Sequence, residues 1–164
     1  MHLKKLLWIV NPHAGRGAMR GKLIDCILAF QQAGFDVTLH VTEGPEDATR
    51  VAKARAGEFD RIVCAGGDGT LNLAVSGLMT LDHPPLLGYI PQGSTNDFAA
   101  SLHLSSDPAA AAEQIAQGKP QRLDIGPNVT LSMWPPSGPL PAAPIPPPRP
   151  PKTPWAIWPT FWRG

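Results

Sequence analysis

The first 126 residues repeat one pattern that restricts the fold more than any other feature: a short apolar run, a turn, and a segment with helical spacing. The apolar runs predict strands at residues 6–10, 36–41, 61–65, 86–90 and 122–125. The segments between them predict helices at residues 19–33, 45–56, 71–79, 96–102 and 108–117. Strands that alternate with helices build βαβ units. We therefore predict a Rossmann-like α/β domain of three layers, with helices on both faces of a mostly parallel sheet.

Charge and cysteine content argue against several classes of protein. The net charge is +1, so we expect no strong positive field and no nucleic-acid partner. The two cysteines, Cys26 and Cys64, form no CxxC motif, and the five histidines show no metal-ligand spacing. We expect two buried thiols rather than a disulfide or a metal site.

The N-terminus begins like a secretory signal, with Lys4 and Lys5 before an apolar run. That run covers only residues 6–10 and is followed at once by Asn11 and Pro12, so we interpret it as a strand that ends at a turn. No stretch approaches the roughly 18 apolar residues of a membrane span. We expect a soluble, cytoplasmic protein.

The composition changes abruptly after residue 126. Residues 127–164 hold 13 of the 20 prolines and four of the five tryptophans, and they contain neither Asp nor Glu. Each proline ring fixes φ and removes a backbone donor, so we predict a disordered Pro-rich tail with no helix and no central strand. A Pro-rich ligand for SH3-type domains is one interpretation of this tail.

A shift of reading frame is the interpretation that we prefer. Met and Trp each have a single codon, so Met133 and Trp134 require ATG TGG, and reading from the third base of ATG gives Val-Ala. In that frame each later proline codon contributes to a triplet for Ala, Ser, Thr or Pro, and residues 155–162 become an ordinary helical pattern. Sequencing the gene from independent isolates tests this expectation. One uninterrupted frame through residue 164 in all of them would refute it.

Three glycine-bearing turns follow three of the predicted strands, where ligands bind in open α/β sheets. Their sequences are Asn-Pro-His-Ala-Gly-Arg-Gly at residues 11–17, Gly-Gly-Asp-Gly-Thr-Leu-Asn at residues 66–72, and Pro-Gln-Gly-Ser-Thr-Asn-Asp-Phe at residues 91–98. Glycine lets the backbone approach a ligand, and the helix that follows offers free N–H groups. The first turn alone is equally explained as a common Asn-Pro turn.

The second turn carries the clearest chemistry. Three glycines in four positions form a backbone nest whose N–H groups point at an anion, and phosphate fits there. Asp68 would repel a bare phosphate, so it favours a Mg²⁺ ion nearby, or a ribose or water that donates to the carboxylate. The alternative without a ligand is helix capping, by Asp68 or Thr70 in this turn and by Asn96 or Asp97 in the third.

Taken in order, these motifs and Leu-Asp-Ile-Gly at residues 123–126 resemble the catalytic domain of the diacylglycerol kinase family. That family includes soluble bacterial lipid kinases and sphingosine kinases, and it is related to the NAD kinases. The resemblance covers residues 5–126. It implies that residues 1–126 form a nucleotide-binding domain, followed by the tail at 127–164, and that ATP and Mg²⁺ are the cofactors.

The resemblance also assigns individual residues. The acidic network that would organise Mg²⁺ consists of Asp68, Asp97 and Asp124. Leu73 departs from the family pattern, which usually has Glu there, and so removes one polar contact near the nucleotide. The residues that would line the ATP site are Asn11, Pro12, His13, Ala14, Gly15, Thr42, Gly66, Gly67, Asp68, Gly69, Thr70, Leu71, Asn72 and Ser94.

The reaction implied by the resemblance is transfer of the ATP γ-phosphoryl group to a lipid hydroxyl, with the lipid at a membrane surface in full-length relatives. Family members carry the catalytic base in a second, β-rich domain, so we expect no base in this chain and nucleotide binding without turnover. The resemblance allows a homodimer and peripheral contact with a membrane. Two alternatives stay open: an NAD-kinase-like phosphotransferase, which the first and third motifs disfavour, and a non-catalytic nucleotide-binding fragment.

Overall fold

A computed structural model describes residues 3–126 and 129–133. These residues form six strands and five α-helices, with short 3-10 turns at Ala14–Gly17 and Ala56–Glu58. In chain order the elements are β1 (Lys4–Val10), α1 (Ala18–Gln32), β2 (Phe35–Val41), α2 (Asp47–Arg55), β3 (Arg61–Gly66), α3 (Asp68–Leu78), β4 (Leu86–Pro91), α4 (Asp97–Ser101), α5 (Pro108–Gln117), β5 (Gln121–Gly126) and β6 (Val129–Met133).

The strands form one sheet in the order β2-β1-β3-β4-β6-β5. Neighbouring strands from β2 to β6 pair in parallel, and β5 and β6 pair antiparallel. Val10 lies opposite both Val41 and Ala65, and Gly66 lies opposite Pro91, so β1 to β4 end at nearly the same level. The predicted α/β fold with a mostly parallel sheet is confirmed. The turns after β1, β3 and β4 therefore share one edge of the sheet.

Side chains of β1 alternate between two layers of core. Leu6, Trp8 and Val10 face the layer that contains α1 and α5, whereas Leu7 and Ile9 face the layer that contains α2 and α3. All five are at most 4% exposed. A strand buried on both faces must be apolar at every position, and this explains the unbroken run that predicted β1.

The predicted element boundaries agree with the structure to within three residues. The largest difference is at α3, which begins at Asp68, inside the second glycine motif, rather than at Leu71. Glycine has a low helix propensity, so the motif masked the first turn of this helix. The prediction for α5 was correct at both ends, because Pro108 marks its first turn and Gly118 follows its last residue. Asp107 caps the N-terminus by accepting a hydrogen bond from the Ala110 N–H (2.9 Å).

One expectation for the tail is wrong. Val129–Met133 forms β6, which lies between β4 and β5, although the proline content predicted no central strand after residue 126. The five residues of β6 contain no proline, and they start with the β-branched pair Val129 and Thr130, so they can pair in a ladder. Residues 127, 128 and 134–164 lie outside the described part of the chain. Disorder of the tail, the boundary at 126 and the frameshift stay predictions.

Cys26 and Cys64 are both buried, as predicted. Burial raises the pKa of each thiol to about 12, so neither has the thiolate character of a reactive cysteine. In the described residues, no helix combines the length and the apolar character that crossing a membrane requires.

Phe30 provides a test of how α1 packs on the sheet. Its ring is fully buried and meets the indole of Trp8 edge to face, with ring centroids 5.7 Å apart. Phe30→Ala should lower the free energy of unfolding by about 3–5 kcal/mol, because it removes buried apolar surface and leaves a cavity. Urea denaturation followed by circular dichroism measures the change. Ile24→Ala is the control on the same helix: its side chain is 66% exposed, so it should change stability by less than about 0.5 kcal/mol. Equal losses of unfolding free energy in the two variants would contradict the packing of Phe30 against Trp8.

Candidate functional site

The three glycine-bearing turns come together at the carboxyl end of the sheet. The N–H of Asn11, in the first turn, donates to the carbonyl of Ala65 (2.9 Å). The N–H of Gln92, in the third turn, donates to the carbonyl of Gly66 (2.7 Å). The first and third turns are therefore both hydrogen-bonded to the end of β3, where the second turn starts.

Glycine is required where these turns touch. A Cβ added to Gly93 would lie 3.0 Å from the Cα of Gly67 and 2.8 Å from Oδ1 of Asn96. A Cβ added to Gly15, which has φ 63°, would lie 2.7 Å from the carbonyl oxygen of Gln92. The glycines thus bring three stretches of backbone closer together than side chains would permit.

Asn11 joins the first turn to the second through its side chain. Its Nδ2 donates to Oγ1 of Thr70 (3.0 Å), and its Oδ1 accepts from the N–H of His13 (2.9 Å). The bond from His13 turns the chain back after β1. The bond to Thr70 anchors this turn on α3. An ordinary Asn-Pro turn would not need the bond to Thr70, so the turn has a tertiary role.

The capping alternative is not supported in the second turn. The N-cap of α3 is Gly67, which has no side chain, so neither Asp68 nor Thr70 occupies the capping position. The carboxylate of Asp68 instead accepts from the N–H of Asp97 (3.1 Å), across to the third turn, and the hydroxyl of Thr70 accepts from Asn11. The N–H groups in the first turn of α3 have no partners within their own helix, and they carry the positive end of the helix dipole.

The capping alternative also fails for Asn96. This residue has a left-handed backbone, with φ 49°, and makes no cap bond to α4. Its side chain reaches back to Gly93, accepting from the N–H (2.6 Å) and donating to the carbonyl (2.8 Å). These two bonds close the third turn against the second.

Asp68 has one oxygen engaged and one free of hydrogen bonds. Its Oδ1 is buried and has no partner among the described residues, while Oδ2 accepts from Asp97. Burial, and next the nearby Asp68 carboxylate, raise the pKa of Tyr89, so its hydroxyl stays neutral and donates to the carbonyl of Gly66 (3.1 Å). A buried carboxylate oxygen without a donor is costly unless a cation or a water fills the place.

The predicted acidic network is described only in part. Asp68 and Asp97 are joined by the bond from the Asp97 N–H, and the Asp97 side chain is exposed. Asp124 lies on β5 with its backbone opposite Thr130, but its side chain is outside what the structure describes. Among the described residues, no three His, Cys, Asp or Glu side chains form a group that could hold a metal. The magnesium ligands stay a prediction.

A cleft of about 290 Å³ opens beside these turns. Its walls combine amide and hydroxyl groups with apolar surface, as small-molecule sites usually do. The first turn, the connection from β2 to α2, and α3 each contribute to it. The lining residues are Asn11, His13, Thr42, Gly44, Pro45, Ala48, Thr70 and Leu73.

Four of the residues predicted for the ATP site, namely Asn11, His13, Thr42 and Thr70, therefore line the cleft. Leu71 is 5% exposed and packs in the core, so only its backbone is available to a ligand. Pro12 borders a separate apolar groove beside α1. The predicted residues on the exposed rims of the second and third turns are Gly69, Asn72 and Ser94.

Sequence reasoning missed Gly44, Pro45 and Ala48 of the cleft, although a Gly-Pro pair after a strand indicates a loop at this edge. It also gave no role to Gln92, which is only 4% exposed, and neither polar atom of its carboxamide has a hydrogen-bond partner in the described residues. Nothing in the motif signals that Gln92 is buried, because burial depends on the first turn lying over it.

Comparison with known proteins identifies the family that this chain resembles. The model of the diacylglycerol kinase catalytic domain matches residues 5–127. A diacylglycerol kinase of Bacillus subtilis (strain 168) is 43% identical over 126 residues, which are 76% of this chain and 42% of that protein. A diacylglycerol kinase of Staphylococcus epidermidis is 39% identical over 124 residues, covering 75% of this chain and 39% of that protein.

A solved structure is similar as well. The crystal structure of a diacylglycerol kinase from Bacillus anthracis str. Sterne superimposes with a TM-score of 0.68 at 33% sequence identity, covering 74% of this chain and 45% of that one. The chain spans about two fifths of the length of the curated relatives that it matches. With the family model covering three quarters of its residues, the chain belongs to the diacylglycerol kinase catalytic domain family.

Proposed function

We propose that this chain is the ATP-binding half of a lipid kinase that transfers the γ-phosphoryl group of ATP to a hydroxyl of a diacylglycerol-type lipid. The observation that carries the proposal is the convergence of three glycine-bearing turns on the N-terminus of α3, beside a cleft of about 290 Å³. Relatives named diacylglycerol kinase support the lipid branch over an NAD-kinase-like activity.

The residues present fit a nucleotide. Pro45, Ala48 and Leu73 offer apolar surface to a purine ring, while Asn11 and Thr42 offer polar groups to the base or ribose. The phosphates would lie against the backbone of residues 66–70, where glycine permits close approach and the dipole of α3 favours negative charge. The other residues predicted to contact the nucleotide lie in the three glycine-bearing turns.

The residues also fit a divalent cation beside the phosphates. Mg²⁺, when bound, would neutralise phosphate charge and align the transferred group. Asp68 would hold it directly or through water, since its Oδ1 is buried and accepts no hydrogen bond from the residues that the structure describes. The Asp97 N–H fixes the other oxygen of Asp68, and the side chains of Asp97 and Asp124 would complete the acidic network.

The catalytic base and most of the lipid-binding surface are not assigned to residues of this chain. Because the chain spans about two fifths of its relatives, we infer that those parts lie in the remainder of the longer proteins. The proposed activity of the 164-residue chain by itself is nucleotide binding without turnover, in the cytoplasm or at the membrane surface where the lipid would lie.

Binding of ATP and Mg²⁺ is the first prediction from this proposal. Ligand at 100 times its Kd stabilises the folded state by about 2.7 kcal/mol, so the melting temperature of the 164-residue chain should rise in millimolar ATP with Mg²⁺. Differential scanning fluorimetry measures the shift, with Mg²⁺ alone and AMP with Mg²⁺ as controls that lack the β- and γ-phosphates. No shift at millimolar ATP would remove the binding claim.

Gly93→Ala tests the contact between the second and third turns. The added Cβ would displace Gly67 or Asn96 and so distort the phosphate-binding backbone. Affinity for ATP with Mg²⁺, measured by isothermal titration calorimetry, should fall at least about tenfold, the equivalent of 1.4 kcal/mol. Gly21→Ala is the matched control, because a Cβ there meets no atom of the described residues within 4 Å. An unchanged Kd in Gly93→Ala would show that the two turns need not touch.

A further inference from the structure

The connection between β2 and α2 forms one wall of the cleft. It covers residues 42–46, after Val41 ends β2 and before Asp47 begins α2. Thr42 is 8% exposed, whereas Gly44 and Pro45 are exposed, and all three line the cleft. A connection this short and this exposed has no core of its own, so contacts outside it must hold it in place.

One carboxylate supplies such contacts. The side chain of Asp47 is 6% exposed, and its Oδ2 accepts from the N–H of Glu43 (3.0 Å) and from Nε2 of His40 (2.9 Å). Its Oδ1 accepts from the guanidinium of Arg50. The donors come from β2, from the connection and from α2, so a single residue joins three consecutive segments.

The ionisation state of Asp47 determines the direction of these hydrogen bonds. The hydrogen bond from His40, followed by the one from the Glu43 N–H, lowers the pKa of Asp47 to about 2, so the carboxylate is ionised at neutral pH. An ionised carboxylate can only accept, and therefore His40 carries the proton on Nε2. A buried charge is costly unless its donors keep their places, so these hydrogen bonds favour one position of the connection relative to β2 and α2.

Asp47 itself does not line the cleft, although its neighbour Ala48 does. We propose that Asp47 is a positioning residue for the nucleotide, which holds the connection of residues 42–46 in the shape of the cleft wall without touching the ligand. This inference rests on the proposed nucleotide-binding function. It predicts that the loss of Asp47 weakens nucleotide binding even under conditions in which the variant stays folded.

The test compares nucleotide affinity among variants of the 164-residue chain, below their melting temperatures. Asp47→Ala should weaken binding of ATP with Mg²⁺ about tenfold, because the donors of the wall lose their acceptor. Asp47→Asn keeps an oxygen for the Glu43 N–H and should recover most of the affinity. The matched control is Asp36→Ala, since Asp36 is exposed at the opposite end of β2, and its Kd should not change.

Amide hydrogen exchange without nucleotide provides a second readout. Asp47→Ala should accelerate exchange in residues 42–46 while β1 and β3 keep their protection. If the wild type binds ATP with Mg²⁺ and Asp47→Ala binds equally well, the inference is wrong and the proposed function stands. If the wild type does not bind, both are overturned.

A gentler variant covers the case in which Asp47→Ala does not fold. His40→Leu removes one donor from an edge strand and should weaken binding about threefold, in line with one lost hydrogen bond. His40→Gln retains a donor and should restore the affinity. Equal affinities in the wild type and both His40 variants would overturn the inference.

Discussion

Two backbone hydrogen bonds at the end of β3 determine the geometry of the candidate site. Asn11 donates to Ala65 and Gln92 donates to Gly66, so the turns after β1 and β4 are tied to the strand that lies between them. The glycines can then meet, and Asn11 can reach Thr70. The parallel register that ends these strands at one level is what makes both bonds possible.

The core and the site depend on each other through α3. One face of this helix packs in the layer shared with α2, and its N-terminus points into the site. Asp68 lies at that N-terminus, where one oxygen accepts from the Asp97 N–H and the other has no donor within the described part of the chain. Because the core residues of α3 pack against the sheet and α2, they fix the position of this carboxylate relative to the three turns.

Much of the fold was predictable because its strands and helices produce patterns among residues that are close together in the sequence. Strands buried on both faces are continuous apolar runs, and helices mark their ends in the sequence, as α5 does with Pro108 and Gly118. The error was β6, where prolines on either side of Val129–Met133 hid a strand. Apart from Thr42, which the family resemblance supplied, the residues of the site were predictable only within the three glycine motifs. Gly44, Pro45 and Ala48, and the buried Gln92 and Asp47, carry no comparable signal.

The amino-acid sequence by itself determined the α/β fold, the three glycine-bearing turns and membership of the diacylglycerol kinase family, because each depends on residues that are close together in the chain. Only the tertiary structure decided which residues share a cleft, that Asp68 accepts from the third turn rather than capping α3, and that Asp47 accepts hydrogen bonds from β2, from the β2–α2 connection and from α2. These contacts depend on register and crossover in the sheet, which join residues as far apart as Asn11 and Thr70.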